Sequence, residues 1–501
     1  MDLGPSEQIN KTRQYRLLEM LPGSLTLLTY FLIIILSFIK PVWVIYFIIV
    51  YAFLWLVRVM YFITYLFIAW KKYKQETQVD WLAKVKEIGD WGKIYHAVFI
   101  PHWKEPYGVL ETTLNALANS KYPRDKMIVI LGGEERDAAG WHERSAKVLE
   151  KFGNTFHKLI LTTHPKDLPD EVIGKGANAH YMAQQFHRIL DNELKIPYEN
   201  IIVSNFDCDT VPHPLYFARL TYAYLTHPHP TRASYQPLAL YNNNLWESPS
   251  FTRVVANSTS FWLMTELARP EQFMTFSSHS MSWQALVDVG YWQKDIVTED
   301  SRIFLQCFLR YDGDYELEPI FIPVNMDTVA VNSFWQTVVN QYKQMRRWAW
   351  SAEHQPYLIT NFKKNQKISR WVKFRYIWKL VEGQLSWATA PVLLMIFTRL
   401  PLYVARNDTS VLIQNAPFVI ETLLQIAMVG MVASAVFNIM LLPGSPPKHV
   451  YYKYLTMVLQ WFLLPITLIV FGSVPAIDAQ WRLLIGKHLV FWNTEKTRVK
   501  S

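Results

Sequence analysis

Apolar and polar positions divide this chain into three stretches. From Ser24 to Ile39 it reads SLTLLTYFLIIILSFI, and after Lys40-Pro41 it resumes as VWVIYFIIVYAFLWLV and runs on, past Arg58, to Trp70. Each run is long enough for a helix to cross a hydrocarbon core, so two helices joined by a tight turn should cross and return. No small-residue cleavage site follows the first run and a second span comes at once, which argues against a signal peptide. From residue 71 to about 378 no apolar run is long enough to span. Membrane character returns at SWATAPVLLMIFTRLPLYV (386–404) and APFVIETLLQIAMVGMVASAVFNIMLL (416–442), two more spans separated by ARNDTS. The expected organisation is a transmembrane helix pair over 1–70, a soluble domain over 71–378 that closes in interfacial helices, and a transmembrane and interfacial region over 379–501.

The tail from Tyr454 reads differently. Four spans place Tyr454 on the starting side, and one more full crossing would carry Lys487, Lys496, Arg498 and Lys500 outside, against the positive-inside trend. Pro465, Gly472 and Pro475 interrupt the apolar run, so the expectation is helices that enter the bilayer boundary and turn back.

The soluble stretch alternates short β-rich runs with amphipathic segments. IYHAVFI (94–100), KMIVILGG (126–133), NIIVSNFD (200–207) and PIFIPV (319–324) are examples. Strands spaced this way around helices predict an α/β domain with a mixed, mainly parallel sheet. Ligands in such sheets bind beyond the carboxyl ends of the strands, where three of these runs end in polar clusters.

Composition adds compartment and partners. The 20 Trp, 27 Tyr and 28 Phe suit interfacial aromatic belts. Cys208 and Cys307 are the only cysteines, too few for a disulfide framework, so the soluble part should face a reducing compartment. The net charge of +9 collects beside the apolar runs, as in KKYK (71–74) and KTRVK (496–500). Positive-inside topology explains that distribution without nucleic acid and puts the soluble domain in the cytoplasm, with the plasma membrane as the expected location.

Three short motifs carry chemistry. Asp207-Cys208-Asp209 follows the apolar run IIV; two acids one residue apart at a strand end can hold a divalent cation while a diphosphate supplies further oxygens, or can be a solvated turn. Thr298-Glu299-Asp300 leads into a helix, where acids serve as caps; in a cleft, Asp300 can instead act as a general base. In YKQMRRWAW (342–350), Gln344, Arg347 and Trp348 follow Q-x-x-R-W. An Arg suits a phosphate and a Trp face suits a sugar, and an interfacial amphipathic helix would use the same residues.

In this order, between membrane spans, D-x-D, T-E-D and Q-x-x-R-W resemble the family 2 membrane glycosyltransferases, the group of cellulose synthase and hyaluronan synthase. The resemblance runs over residues 90 to 350 by motif and implies a GT-A type nucleotide-sugar domain. It implies Asp207 and Asp209 as ligands of Mg²⁺ or Mn²⁺, Asp300 as the base flanked by Glu299 and Thr298, and Gln344, Arg347 and Trp348 at the donor and acceptor. IPHWKEP (100–106) is similar to a P-x-Y-N-E loop, which gives Glu105 a nucleotide-seating role; His102, Trp103 and Lys104 depart from it. GKGANAHYM (174–182) is similar to K-A-G-N and turns Lys175 toward the diphosphate. FSSHSMSWQALVDVGYW (276–292) stands at the acceptor segment, with Ser277, Ser278 and His279 as candidates. FWNTEK resembles an F-x-V-T-x-K gating loop, matching at Phe491, Thr494 and Lys496. Where the family often has a D-D pair against uridine, this chain has LGGEERD: either Glu134 substitutes from further along, or the nucleotide is held differently.

The implied activity is inverting transfer of a sugar from a nucleotide sugar, with UDP the expected nucleotide, to a glycan or lipid acceptor. Polysaccharide synthesis coupled to translocation is the leading expectation. Addition of one sugar to a polyprenyl phosphate or other lipid is the alternative in the same class. A transporter or channel with a regulatory domain is the rival from another class, disfavoured because Arg58, Arg399 and Glu421 are sparse for a charged pathway.

Overall fold

The computed structural model describes residues 12–407, 410–444 and 450–489. Among them, five helical segments are long and apolar enough to cross a membrane: Arg13–Ile39, Pro41–Glu76, Arg370–Val404, Val411–Met440 and Tyr452–Leu484. The first begins at Thr12, whose hydroxyl accepts the N–H of Tyr15 at 3.2 Å, satisfying one of the unpaired donors of a helix start. Pro41 opens the second in its first turn, where a missing N–H costs nothing.

Between the second and third helices lies one eight-stranded sheet. Its strands are β1 (Tyr95–Pro101), β2 (Met127–Glu134), β3 (Lys158–His164), β4 (Ile201–Asn205), β5 (Val211–Pro212), β6 (Ala233–Leu240), β7 (Ser280–Ser282) and β8 (Glu316–Asn325), in the order β3-β2-β1-β4-β7-β6-β8-β5. β3, β2, β1 and β4 run parallel, β7 is antiparallel to β4 and β6, and β8 returns parallel to β6. The sheet is therefore mixed and mainly parallel, as the alternating pattern predicts. Every residue of β2 and β6 is buried, which follows from helices covering both faces. On one face Phe99, Phe186 and Trp283 pack edge to face and stacked, with ring centroids 4.8 to 6.3 Å apart. The parallel register carries β1, β2 and β4 to a common edge, where Pro101, Glu134 and Asn205 end their strands.

Charged and aromatic contacts fasten the long helices to the sheet. Glu76, at the end of Pro41–Glu76, takes Arg219 at 3.0 and 3.1 Å and the backbone N–H of Phe321 in β8 at 3.1 Å. Tyr376, early in Arg370–Val404, packs on Phe308 at 4.6 Å. These two helices thus meet the α/β part at the end of one and the start of the other, and extend away from it.

The tail departs from its expectation of a reversal. The chain stays helical from Val450 to Leu484, changing between α, 3₁₀ and π turns at Gln460–Leu463 and Leu468–Ser473. Pro465 and Pro475 fall in the first turns of the α-helical pieces that follow those changes, so neither ring breaks an interior hydrogen bond. Along its length the segment rests on the α/β part and its closing helices. Tyr454 meets Trp246, Gln460 accepts from Arg253 at 2.7 Å, Phe471 stacks on Phe251 at 5.2 Å, and Asp478 takes Tyr342 and Arg346 at 3.0 and 2.8 Å.

Candidate active site

The D-x-D turn is set by the sheet. Beyond Asn205 the chain makes one more ladder bond, Phe206 N–H to Phe99 C=O at 2.9 Å, then tightens through Thr210 N–H to Asp207 C=O at 2.9 Å. Asp207 and Asp209 both reach a cavity of about 2380 Å³. Asp209 is 6 % exposed; its Oδ2 accepts the N–H of Asp327 at 3.0 Å, and Asn243 donates to its carbonyl at 2.8 Å and to Asp327 Oδ1 at 2.9 Å. Asp207 accepts from Ser277 Oγ at 2.6 Å.

Lys175 joins this turn to the T-E-D motif. Its ammonium lies 2.6 Å from Asp207 Oδ1 and 3.0 and 3.1 Å from the two oxygens of Asp300, while Asn205 Nδ2 donates to Asp300 Oδ1 at 3.2 Å. Burial disfavours the charged amine, but Asp207, Asp300 and Glu299 outweigh it and raise the Lys175 pKa. Glu299 is 2 % exposed, and burial, with Asp300 adding to it, pushes its carboxyl up to about 8 against the opposing pull of Lys175 and Arg347. Thr298, the N-cap of helix Glu299–Arg310, does not cap through its side chain; its hydroxyl donates to Glu353 Oε1 instead.

Helix Phe334–Ala349 brings Gln344, Arg347 and Trp348 to the same cavity. Trp348 packs on Phe276 at 5.8 Å and Tyr241 at 6.3 Å. Of the acceptor candidates, Ser277 lines the cavity, whereas Ser278 and His279 lie behind the wall, both fully buried. Ser278 adopts φ +63° and shares a hydroxyl bond with Thr210 at 2.8 Å. Burial holds the His279 imidazole down at about 4, so it is neutral. Phe491, Thr494 and Lys496 fall outside the described residues.

At the nucleotide end, Glu105 lines the cavity and takes the N–H of Trp103 at 2.7 Å. The two glycines where an acid pair was looked for leave no room for side chains. A Cβ on Gly132 would stand 2.4 Å from Met182 Sδ and 2.6 Å from Asn178 Oδ1, and one on Gly133 would stand 2.1 Å from the Trp141 ring. Glu134 is the first side chain beyond them to reach the cavity; its Oε2 accepts from Arg136 at 2.6 Å and lies 3.0 Å from His164 Nδ1. Burial alone would lower the His164 pKa, but Glu134 and Glu171 on its two nitrogens raise it.

Two residue sets offer metal ligands. His102, Glu105 and Cys208 bring ligand atoms within 4.8 Å of one another. Arg144 Nε, however, donates into His102 Nε2 at 2.8 Å, which puts the ring proton on Nδ1, facing Glu105 at 3.0 Å. That tautomer, assigned from its partners, leaves no lone pair for a metal. Asp207 and Asp209 supply oxygens alone, the donor set of a hard divalent cation, and Asp207 already sits against a cation in Lys175. The acid pair is the better fit. Sequence reasoning missed Asn205, Asn243, Asp327 and Tyr241 around these acids; Tyr241 and Asn243 share the polar run YNNN (241–244) just after β6, whereas Asn205 and Asp327 are marked by no pattern of their own.

The profile of glycosyl transferase family group 2 matches residues 202–474. Among solved structures, a mannosyltransferase of Pyrobaculum calidifontis in complex with GDP-Man and Mn²⁺ is 15% identical, covering 78% of this chain and 99% of its own, with a TM-score of 0.44. TarS 1–349 of S. aureus in complex with UDP-GlcNAc is 10% identical over 75% of this chain and 91% of its own, with a TM-score of 0.37. No curated protein sequence matches the chain. The mixed sheet flanked by apolar helices is the GT-A type arrangement expected from the motifs.

Proposed function

The chain belongs to glycosyl transferase family group 2, and from that premise we propose that it transfers a sugar from a UDP-sugar, with inversion, to the hydroxyl of a growing polysaccharide that leaves through the membrane. One observation carries the acceptor half of this reading. The cavity that holds Asp207, Lys175 and Asp300 continues past Trp348, Trp387 and Arg58 to Leu402, near the end of the Arg370–Val404 segment. Tyr376, early in that segment, packs on the α/β part, so the cavity runs from the chemistry toward the opposite end of the helix.

In this proposal Asp300 takes the proton of the acceptor hydroxyl, and the hydroxyl oxygen displaces the nucleoside diphosphate in line, with no covalent intermediate. Lys175 and Arg347 stabilise charge on the leaving diphosphate. Asp207 and Asp209 would hold Mg²⁺ or Mn²⁺, which when bound would neutralise the same charge. Because Lys175 bridges Asp207 and Asp300, a diphosphate that draws the ammonium toward itself also loosens it from the base. Trp348 offers a ring face to the sugar.

A second reading has its own support. The part of the cavity among the apolar helices is walled by Ala52, Leu394, Leu402, Ile420, Leu424 and Met428, side chains that suit a lipid tail and favour single addition to a polyprenyl phosphate. A screen of radiolabelled nucleotide sugars against the purified protein with Mg²⁺ or Mn²⁺, scored for donor use and product length, separates the two. A polymer supports the first reading, one sugar on an extractable lipid supports the second, and no donor consumed overturns both.

A further inference from the structure

Glu353 touches nothing in the cavity, yet it holds the first residue of the T-E-D motif. Its Oε1 accepts the hydroxyl of Thr298, its Oε2 accepts the indole N–H of Trp350 at 2.9 Å, and its carbonyl accepts from Arg302 at 3.4 Å. The next residue repeats the pattern. His354 Nδ1 accepts from Arg302 Nε at 3.2 Å, and its Nε2 lies 2.7 Å from the hydroxyl of Ser301. Arg302 is 2 % exposed and lies 3.9 Å over the Tyr357 ring. Thr298, Ser301 and Arg302 flank Asp300 on both sides, and each is fixed by the short stretch from Trp350 to Tyr357.

That stretch is itself clamped. Ala349, Trp350 and Ala352 pack with Val297 against Ala388, Ala476 and Leu483, and Ser351 accepts from Gln384 Nε2 at 2.8 Å. The turn after Q-x-x-R-W is thus wedged between the base-bearing helix and two of the apolar helical segments. A carboxylate with both oxygens engaged in this position fixes the direction in which Glu299–Arg310 starts, and with it the aim of the Asp300 carboxylate.

We infer that Glu353 is a positioning residue for the transfer step, acting on Asp300 through Thr298. The inference rests on the base role proposed above. Lys175 keeps its contact with Asp207, and Arg347 lies within helix Phe334–Ala349, before the turn that Glu353 closes. Loss of Glu353 should therefore slow the chemical step and spare donor binding.

The test is a double-mutant cycle on the full-length protein. Glu353→Ala and Thr298→Val should each lower kcat about 10²-fold, the scale of a misplaced reacting group, with donor KM and nucleotide-dependent thermal stabilisation unchanged within a factor of two or so. The double variant should fall no further than either single, because both remove one linkage. Glu353→Gln keeps its oxygen for the Trp350 N–H and offers an amide N–H that the Thr298 hydroxyl can accept, so it should regain most of the rate, and Thr298→Val carries the comparison if Glu353→Ala does not fold. Additive losses, donor binding lost in step with kcat, or wild-type kcat in Glu353→Ala each overturn the inference. A wild-type protein that consumes no donor overturns the transfer reading and this one with it, whereas an active wild type with an unaffected Glu353→Ala overturns this one alone.

Discussion

Lys175→Met removes the one ammonium shared by the two acidic motifs while keeping side-chain volume. The lysine side chain is 10 % exposed and lies 2.6 Å from Asp207 and 3.0 Å from Asp300. At an effective dielectric near 20 each contact corresponds to roughly 5–6 kcal/mol of Coulomb energy, most of it offset by taking the charges out of water. The net effect is set by what remains: two carboxylates, with buried Glu299 beside them and Arg347 as the remaining cation of that part of the cavity. Orphaning buried charges costs about 3–5 kcal/mol, and because Asp207 and Asp300 keep 30 and 23 % exposure the expected loss is lower, about 2–3 kcal/mol, or a melting temperature lowered by about 5 °C.

The pH dependence of that gap is specific. The native pKa of Lys175 is raised, so its contribution is fully present below the unfolded value and is lost only in strongly alkaline solution; across pH 5 to 9 the wild type keeps it. In the variant the acids repel one another, and that repulsion eases as the pH falls and carboxylates take up protons. Stability lost at pH 8 should return toward pH 5. Thermal melts of donor-free wild type and Lys175→Met at pH 5, 6.5 and 8 measure this, alongside donor turnover, which should fall by about 10²–10³ with the loss of charge stabilisation on the leaving group. A gap that is absent at pH 8, or that widens on acidification, refutes the shared-cation argument.

Three further outcomes follow from the same site. Asp209→Ala should abolish both transfer and the thermal stabilisation given by nucleotide with Mg²⁺ or Mn²⁺, measured by melting with and without ligand; near-normal turnover would remove Asp209 from metal binding. Asp300→Asn leaves Lys175 paired with Asp207, so stability should change by only about 1–2 kcal/mol while kcat falls roughly 10²- to 10⁴-fold, and parallel loss of donor binding would refute a base role. Glu299, pushed up to about 8, binds its proton more tightly in the folded state, so it costs stability progressively as pH rises from its unfolded value toward 8. Donor-free Glu299→Gln should accordingly melt higher than wild type above pH 8 and lose that advantage near pH 4.5.

Much of the fold was legible because its signals are contiguous. The runs at 94–100, 126–133 and 200–207 became β1, β2 and β4 within a residue or two. β6 and β7 stay hidden: Pro237 sits at a register shift in β6, and β7 is three residues long, so neither shows a sustained period. The tail's prolines misled for a related reason. A proline in an apolar run reads as a break, but 3₁₀ and π turns placed Pro465 and Pro475 where their missing donors are harmless.

The site divides along the same line. D-x-D, T-E-D and Q-x-x-R-W are each written in neighbouring residues, and all reach one cavity. The bridge that makes them one site, Lys175 between Asp207 and Asp300, spans 125 residues on one side, so the K-A-G-N likeness marks the lysine but not its two partners. Ser278 and His279 show the converse, since a polar tripeptide does not reveal which of its members faces inward; positive φ at Ser278 turns that residue toward Thr210 and leaves Ser277 on the cavity wall.

The charges along the part of the cavity among the apolar helices bear on the proposed passage of product. Read singly, Arg58 is an isolated intramembrane cation; folded, it makes a two-point pair with Glu382 at 2.7 and 3.0 Å. Nearby, Glu266 takes both Arg269 and Lys379. These residues line the cavity, and their pairing sets opposite charges side by side along that stretch. Ion paths that are lined by charged side chains carry rings of one sign. A wall of paired charges interleaved with Trp55, Trp378 and Trp387 instead suits a neutral or amphiphilic chain that slides past without being held. Uncoupling the pair by Arg58→Leu with Glu382→Leu, which leaves no orphaned charge, should therefore leave the size of any polymer or lipid product unchanged, whereas Glu382→Leu alone exposes the arginine and should shorten or stall it; equal products from the wild type and both variants would show that the pairing has no bearing on the passage.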